Sequence, residues 1–185
     1  MKISTQILHR LFTALMLIYL LYAPPSIAGV GGDFSLTDQN GDVFRLSDSR
    51  GKVVLLFFGY TYCPDICPTE LAKISFVLQQ LEKNADDIHC VFVSVDPSRD
   101  STDLLTAYVQ AFDSRISGVT GTENELASVA SQYGISYTVN QLAGANYTVD
   151  HTANFYIIDK LGKLAIIVPY GFPLDHLVNS VQGLL

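Results

Sequence analysis

The chain has 185 residues, 49% of them hydrophobic, which suits one domain with its own core and is too apolar for a disordered chain. Eleven basic residues against 18 acidic give a formal charge of −7, which argues against nucleic acid as a partner. No internal repeat or low-complexity tract divides the sequence.

The first 28 residues read as a targeting segment. Lys2 and Arg10 supply positive charge, and Leu11–Ala23 is a 13-residue apolar run broken only by Thr13. Pro24-Pro25 ends any helix, and Ser26-Ile27-Ala28 offers small residues to a signal peptidase, with cleavage before Gly29. The run is shorter than the roughly 20 apolar residues of a membrane span. Residues 1–28 are therefore expected to be a signal peptide, with an N-terminal membrane anchor through residues 11–23 as the alternative. No cysteine follows the run, which counts against a lipid anchor. In either case residues 29–185 form an exported domain, and with Lys2 and Arg10 removed its charge is 9 − 18 = −9.

Along that domain, Phe34–Leu36 and Val43–Leu46 alternate apolar and polar residues around the turn signal Asn40-Gly41, which predicts a β-hairpin. Val53–Phe58 is apolar on both faces and reads as a central strand. Helical spacing of Leu71, Ile74, Val77, Leu78 and Leu81 predicts a helix from about Pro68 to Lys83, with Cys67 as its N-cap. Strand Val91–Val95 follows, so the strand–helix–strand run implies a parallel crossover. A loop at Asp96–Asp100 and a helix marked by Leu104, Leu105, Tyr108, Val109 and Phe112 come next. A third helix is opened by a Thr122/Glu125 capping box and ends near Tyr133-Gly134. Residues 137–147 have no clear period and read as an exposed excursion. Asn154–Ile158 and Lys163–Val168 form a hairpin, and Leu174, Leu177, Val178 and Val181 mark the last helix.

The order is hairpin, strand, helix, strand, helices, strand, strand, helix. It predicts an α/β domain with a mixed central sheet flanked by helices and an N-terminal β-hairpin. A reactive pair where the first central strand meets the first long helix is the layout of a thioredoxin-like fold. Sites in such sheets lie beyond the carboxyl ends of the strands.

Two of the three cysteines, Cys63 and Cys67, stand at that junction within Cys63-Pro64-Asp65-Ile66-Cys67-Pro68. The third, Cys90, lies in an apolar strand and reads as core. A bridge over so short a loop removes little chain entropy, so a structural disulfide is a poor explanation of the pair. A helix N-terminus favours thiolate over thiol, expected here at Cys67. Thiolates select soft metals such as Cu(I). Disulfide oxidoreductases space their pair as Cys-x-x-Cys, one residue closer. Spacing alone leaves metal binding and redox catalysis open.

Two thiolates do not complete a metal site, and imidazole is the usual third donor. His9 lies in the targeting segment, His89 at the start of a strand, and His176 on the last helix. His151, on a loop at a strand boundary beside Asp150, is the candidate ligand, its alternative being a loop histidine with no special role.

Taken together, Phe58-Gly59-Tyr60-Thr61, Cys63-Pro64-Asp65-Ile66-Cys67-Pro68, Val93–Asp100 and Val149-Asp150-His151 resemble the SCO/SenC family, from about Asp33 to the C-terminal helix. These are copper-binding proteins that assist cytochrome c oxidase assembly. The resemblance implies a thioredoxin-like fold and a site made of Cys63, Cys67 and His151, holding Cu(I) and also accepting Cu(II). Asp150 would orient His151, or stand as a plain surface carboxylate. Asp65 would tune the loop's charge, or simply precede the helix. The partner implied is subunit II of the oxidase, or another exported cuproprotein, met in the periplasm or at the outer face of the inner membrane. The function implied is a metallochaperone rather than an enzyme. The alternative is a thiol–disulfide oxidoreductase using Cys63 and Cys67 on the oxidase cysteines or other exported proteins.

Overall fold

The computed structural model describes residues 29–144 and 146–185. The expected signal peptide or anchor, with residues 11–23 and His9, lies outside the described residues. Among the described residues no helix is long and apolar enough to cross a membrane.

Among the described residues nine strands and four α-helices follow one another: β1 (Ser35–Asp38), β2 (Val43–Arg45), β3 (Val53–Gly59), α1 (Ile66–Gln80), β4 (Ile88–Ser94), α2 (Thr102–Gln110), β5 (Ile116–Thr120), α3 (Glu123–Tyr133), β6 (Tyr137–Gln141), β7 (Tyr147–His151), β8 (Phe155–Ile158), β9 (Leu164–Val168) and α4 (Leu174–Gln182). Seven strands form one sheet in the order β2-β1-β5-β4-β3-β8-β9. β3, β4 and β5 run parallel, joined by the crossovers that contain α1 and α2, while the flanking pairs are antiparallel. This is the expected mixed sheet with an N-terminal hairpin, and β3 is buried at all seven positions. An apolar run with no polar face needs cover on both sides, which only a central strand receives. Phe57, Phe58, Phe92, Phe155 and Tyr156 fill the core around it. Cys90 is fully buried in β4 between Leu55 of β3 and Ile116 of β5, as its strand context predicts.

Three elements differ from the sequence reading. β5 was not expected. Its sequence Ile-Ser-Gly-Val-Thr carries only two apolar residues and an internal glycine, a weak strand signature. Gly118 is there because α2 lies against it: a Cβ would stand 3.3 Å from Val109 Cγ1 and 3.4 Å from Leu105 Cβ. The supposed excursion at 137–147 is mostly ordered pairing, since β6 and β7 form a separate two-stranded antiparallel sheet. β6 has no buried residue, so it shows no alternation to read. Finally, α1 runs from Ile66 to Gln80 rather than from Pro68 to Lys83. Pro68 still falls in the first turn, where its missing N–H breaks no bond. The N-cap position is Asp65, and Cys67 is the second helical residue.

The capping box of α3 is complete: Glu125 N–H donates to Thr122 Oγ1 at 3.3 Å, and Thr122 N–H donates to the Glu125 carboxylate at 2.8 Å. Thr122→Ala is expected to lower unfolding free energy by about 1 kcal/mol, read as a lower urea midpoint with unchanged slope. An unchanged midpoint contradicts a stabilising cap.

Candidate metal centre

Among the described residues one group of soft and imidazole donors converges: Cys63, Cys67 and His151. Their ligand atoms all lie within 4.8 Å of one another, although His151 is 84 residues from Cys67. The other two described histidines lie elsewhere. His89 is held between Ser49 Oγ at 2.7 Å and Ser117 Oγ at 2.9 Å, half-buried rather than solvent-facing, and its desolvation lowers its pKa. His176 is exposed on α4 with its ring against Phe172, centroids 4.9 Å apart.

The fold delivers the three side chains from two directions. β3 ends at Gly59, and the loop Tyr60–Asp65 carries Cys63 into the first turn of α1, where Cys67 turns inward and is completely buried. A Cβ on Gly59 would stand 2.7 Å from Cys67 Sγ and 2.8 Å from Phe92 Cε2. Only the glycine's hydrogen leaves room for the sulfur at the strand end. Cys67 N–H donates to Cys63 Sγ at 3.3 Å. The sulfur of Cys63 thus accepts from an unpaired amide of the helix start, as a capping oxygen would.

His151 is the last residue of β7, not a loop residue. Its Nε2 lies 3.3 Å from Cys67 Sγ, and its Nδ1 lies 3.1 Å from the Thr152 carbonyl oxygen. A carbonyl only accepts, so Nδ1 carries the proton and Nε2 presents its lone pair to the sulfurs. The Thr152 carbonyl therefore holds the place that the sequence reading offered to Asp150. Asp150 is exposed, paired in register with Thr138. Asp65 is likewise exposed, and its side chain makes no capping bond. The imidazole packs edge-on to Phe57 and Tyr60, with ring centroids 6.2 and 5.9 Å away.

The two cysteines are chemically unequal. The hydrogen bond from the Cys67 side chain, aided by those from the Asp65 and Cys67 backbone, holds the Cys63 thiol well below its ordinary value against the cost of its partial burial. The Cys67 thiol is pushed up, by its hydrogen bond to Cys63 first and by burial second. The thiolate expected at Cys67 from its place near the helix start thus belongs to Cys63. One turn of sequence does not reveal which sulfur faces the solvent. A cavity of about 390 Å³ opens on Cys63 and His151, walled by Tyr60, Ile66 and Val149.

A layer of residues behind the donors escaped the sequence reading except as parts of motifs. Asp100 accepts from Thr61 N–H at 3.0 Å and from the hydroxyls of Thr61 and Ser94, both at 2.6 Å. Burial raises its pKa, and these bonds oppose the rise. It ties the cysteine loop to the end of β4. Tyr60, itself buried, accepts the Val149 N–H on its hydroxyl at 3.2 Å and so ties β3 to β7. A polar residue following a buried strand was the available signal, but it does not name its partner.

The SCO1/SenC family model matches residues 23–185. The chain belongs to the SCO1/SenC family. It is 40% identical over 136 residues to a SCO2-like protein of Rickettsia prowazekii, an alignment covering 72% of this chain and 66% of that one. It is 41% identical over 159 residues to the mitochondrial SCO2 homolog of Bos taurus, covering 84% of this chain and 60% of that one. The match thus spans a little under two thirds of these curated relatives. In three dimensions it is similar to Bradyrhizobium japonicum ScoI, solved with copper bound: TM-score 0.79, 36% identity, 85% of this chain and all of that one. The fold is thioredoxin-like, as its element order predicts.

Two outcomes follow for this SCO1/SenC chain. In the reduced, metal-free protein, thiolate fraction sets alkylation rate. Cys63 is expected to react with iodoacetamide before Cys67, with an inflection in rate against pH well below the ordinary 9.0 and little loss of rate as pH falls from 8 to 6. Peptide mapping decides the order, and first labelling of Cys67 contradicts the assignment. Gly59→Ala is expected to displace Cys67 Sγ and cost about 1–3 kcal/mol of stability through overpacking. An unchanged denaturation midpoint would show that the strand end can yield.

Proposed function

We propose that this chain is a copper metallochaperone, with copper as its cargo. Reduced Cys63 and Cys67 bind Cu(I) together with His151, and the same donors accept Cu(II). The observation that carries this reading is the convergence of two sulfurs and one imidazole nitrogen within 4.8 Å at the mouth of a cavity. Soft thiolates select Cu(I) over magnesium or calcium. The His151 Nε2, with its ring fixed through Nδ1, adds an imidazole donor to the two sulfurs. Membership of a family with copper-bound structures supports the choice of metal.

Binding takes the proton that Cys67 keeps in the metal-free protein, so affinity falls in acid. Transfer proceeds by ligand exchange. Incoming thiolates reach the half-buried Cys63 first, and the fully buried Cys67 is released last. Oxidation of Cys63 and Cys67 to a disulfide removes two electrons and both thiolates, and so switches binding off. The recipient is the copper-bearing subunit II of cytochrome c oxidase during its assembly, or another exported cuproprotein. Residues 1–28 act as signal peptide or membrane anchor, and residues 29–185 work in the periplasm or at the outer face of the inner membrane.

The second reading, a thiol–disulfide oxidoreductase, is favoured by one observation: the more exposed cysteine carries the lowered pKa. In that reaction the Cys63 thiolate attacks a disulfide sulfur of the partner and expels one partner thiolate. Cys67 then resolves the mixed disulfide. The partner gains two electrons and two thiols, and the Cys63–Cys67 disulfide remains.

Metal analysis of the reduced exported domain tests the primary reading. One copper per chain is expected, with His151→Ala lowering Cu(I) affinity at least about tenfold in competition with a chelator, on the scale of losses at metal-site partners. Copper binding indifferent to His151 sinks the three-donor site. Disulfide reductase turnover that survives His151→Ala while copper binding is lost marks the two activities as separable.

A further inference from the structure

β7 brings His151 to the cysteines, but the strand is not part of the main sheet. Among the described residues it pairs only with β6. Something other than sheet hydrogen bonding must fix its distance from α1. Strand geometry puts Tyr147, Val149 and His151 on one face, alternating with Thr148 and Asp150. Val149 is buried, and Tyr147 and His151 are half-buried.

Arg99, in the loop after β4, meets Tyr147 at the far end of that face. Its guanidinium carbon is 3.5 Å from the Tyr147 ring centroid. The same guanidinium lies 4.8 Å from the ring of Tyr62, the residue before Cys63, and 5.6 Å from the ring of Tyr60. Its Nε pairs with the buried Asp96 carboxylate, and its Nη1 donates to the Tyr147 carbonyl oxygen at 2.9 Å. The Tyr147 hydroxyl donates to the other Asp96 oxygen at 2.6 Å. The Nη2 is buried with no hydrogen-bond partner among the described residues. One planar cation therefore contacts the cysteine loop, the strand end that precedes it and the start of β7.

We propose that Arg99 is a positioning residue that fixes β7, and through it His151, against the Cys63–Cys67 loop, by lying over the rings of both Tyr62 and Tyr147 while paired with Asp96. The proposal rests on the reading of Cys63, Cys67 and His151 as copper ligands. Arg99 is not itself a ligand. The guanidinium lies over the rings of Tyr147 and Tyr62 while its edge is used by Asp96 and the Tyr147 carbonyl, so an ammonium ion of the same charge does not replace it. Losing it leaves β7 held by two single hydrogen bonds, Tyr147 hydroxyl to Asp96 and Val149 N–H to the Tyr60 hydroxyl, neither of which fixes the strand against Tyr62.

The experiment is a double-mutant cycle on the exported domain, with Cu(I) affinity read by chelator competition. Arg99→Met is expected to weaken binding about tenfold, the usual scale for residues that orient a ligand. In a His151→Ala background the same change is expected to move affinity less than about twofold, because the residue through which Arg99 acts is already gone. Equal losses in both backgrounds overturn the proposal, since they assign Arg99 a general structural role. Arg99→Lys is expected to fall with Arg99→Met, and full recovery by lysine overturns the requirement for a guanidinium. Should Arg99→Met fail to fold, Arg99→Lys carries the same cycle. A copper-free readout stands beside it: the His151 ring resonances of the reduced protein are expected to shift and broaden in Arg99→Met, and unchanged resonances also overturn the proposal. If wild type binds no copper, or His151→Ala does not weaken it, the metallochaperone reading fails. If His151 matters and Arg99 does not, only the present inference fails.

Discussion

The site depends on how closely the first turn of α1 lies against the end of β3. Cys67 Sγ occupies space that any side chain at position 59 would fill, with the Phe92 ring closing the other side. That contact sets the sulfur's depth. The hydrogen bond between the two side chains, with Cys67 keeping the proton and Cys63 accepting the bond, is the larger cause of their inequality, and the burial of Cys67 adds to it. The unequal pair is therefore a result of this contact and of packing. An orientation argument made from the helix start alone assigns the charge to the wrong sulfur.

The same contact explains why the polar layer behind the site is so fully bonded. The chain between Gly59 and Cys63 must turn out of a buried strand without leaving amides unpaired. Asp100 accepts the Thr61 amide and two hydroxyls, and the Val149 amide finds the Tyr60 hydroxyl. Each bond also joins two elements that carry a donor or support one. Backbone satisfaction and site geometry are here served by the same atoms. A change made for one disturbs the other.

Much of the fold is legible in the sequence. The unbroken apolar run of β3, the turn at Asn40-Gly41, the capping box of α3 and the helical spacing in α1 each state their structure locally. β5 and the β6–β7 pair do not, because their stability comes from neighbours. Gly118 makes sense only with Leu105 and Val109 against it, and β6 has no buried face to leave a pattern. The site divides in the same way. Cys63 and Cys67 announce themselves by spacing, whereas His151 is a candidate with a plain loop histidine as its alternative until family resemblance makes it the expected ligand. The Thr152 carbonyl that sets its tautomer is a backbone atom, invisible to any reading of side-chain types. Arg99 and Tyr147 are 48 residues apart, and nothing local links them.

Cys90 gives the molecule one more property. Its thiol lies in the middle of the sheet with no exposed surface, and burial pushes its pKa far up. It neither ionises nor meets another sulfur while the sheet is intact. The folded chain, though it holds three thiols, therefore has a single dithiol couple within reach of an oxidant. Oxidation within one molecule has one product, with no mispaired isomer to correct. Exchange involving the third sulfur reports unfolding rather than function.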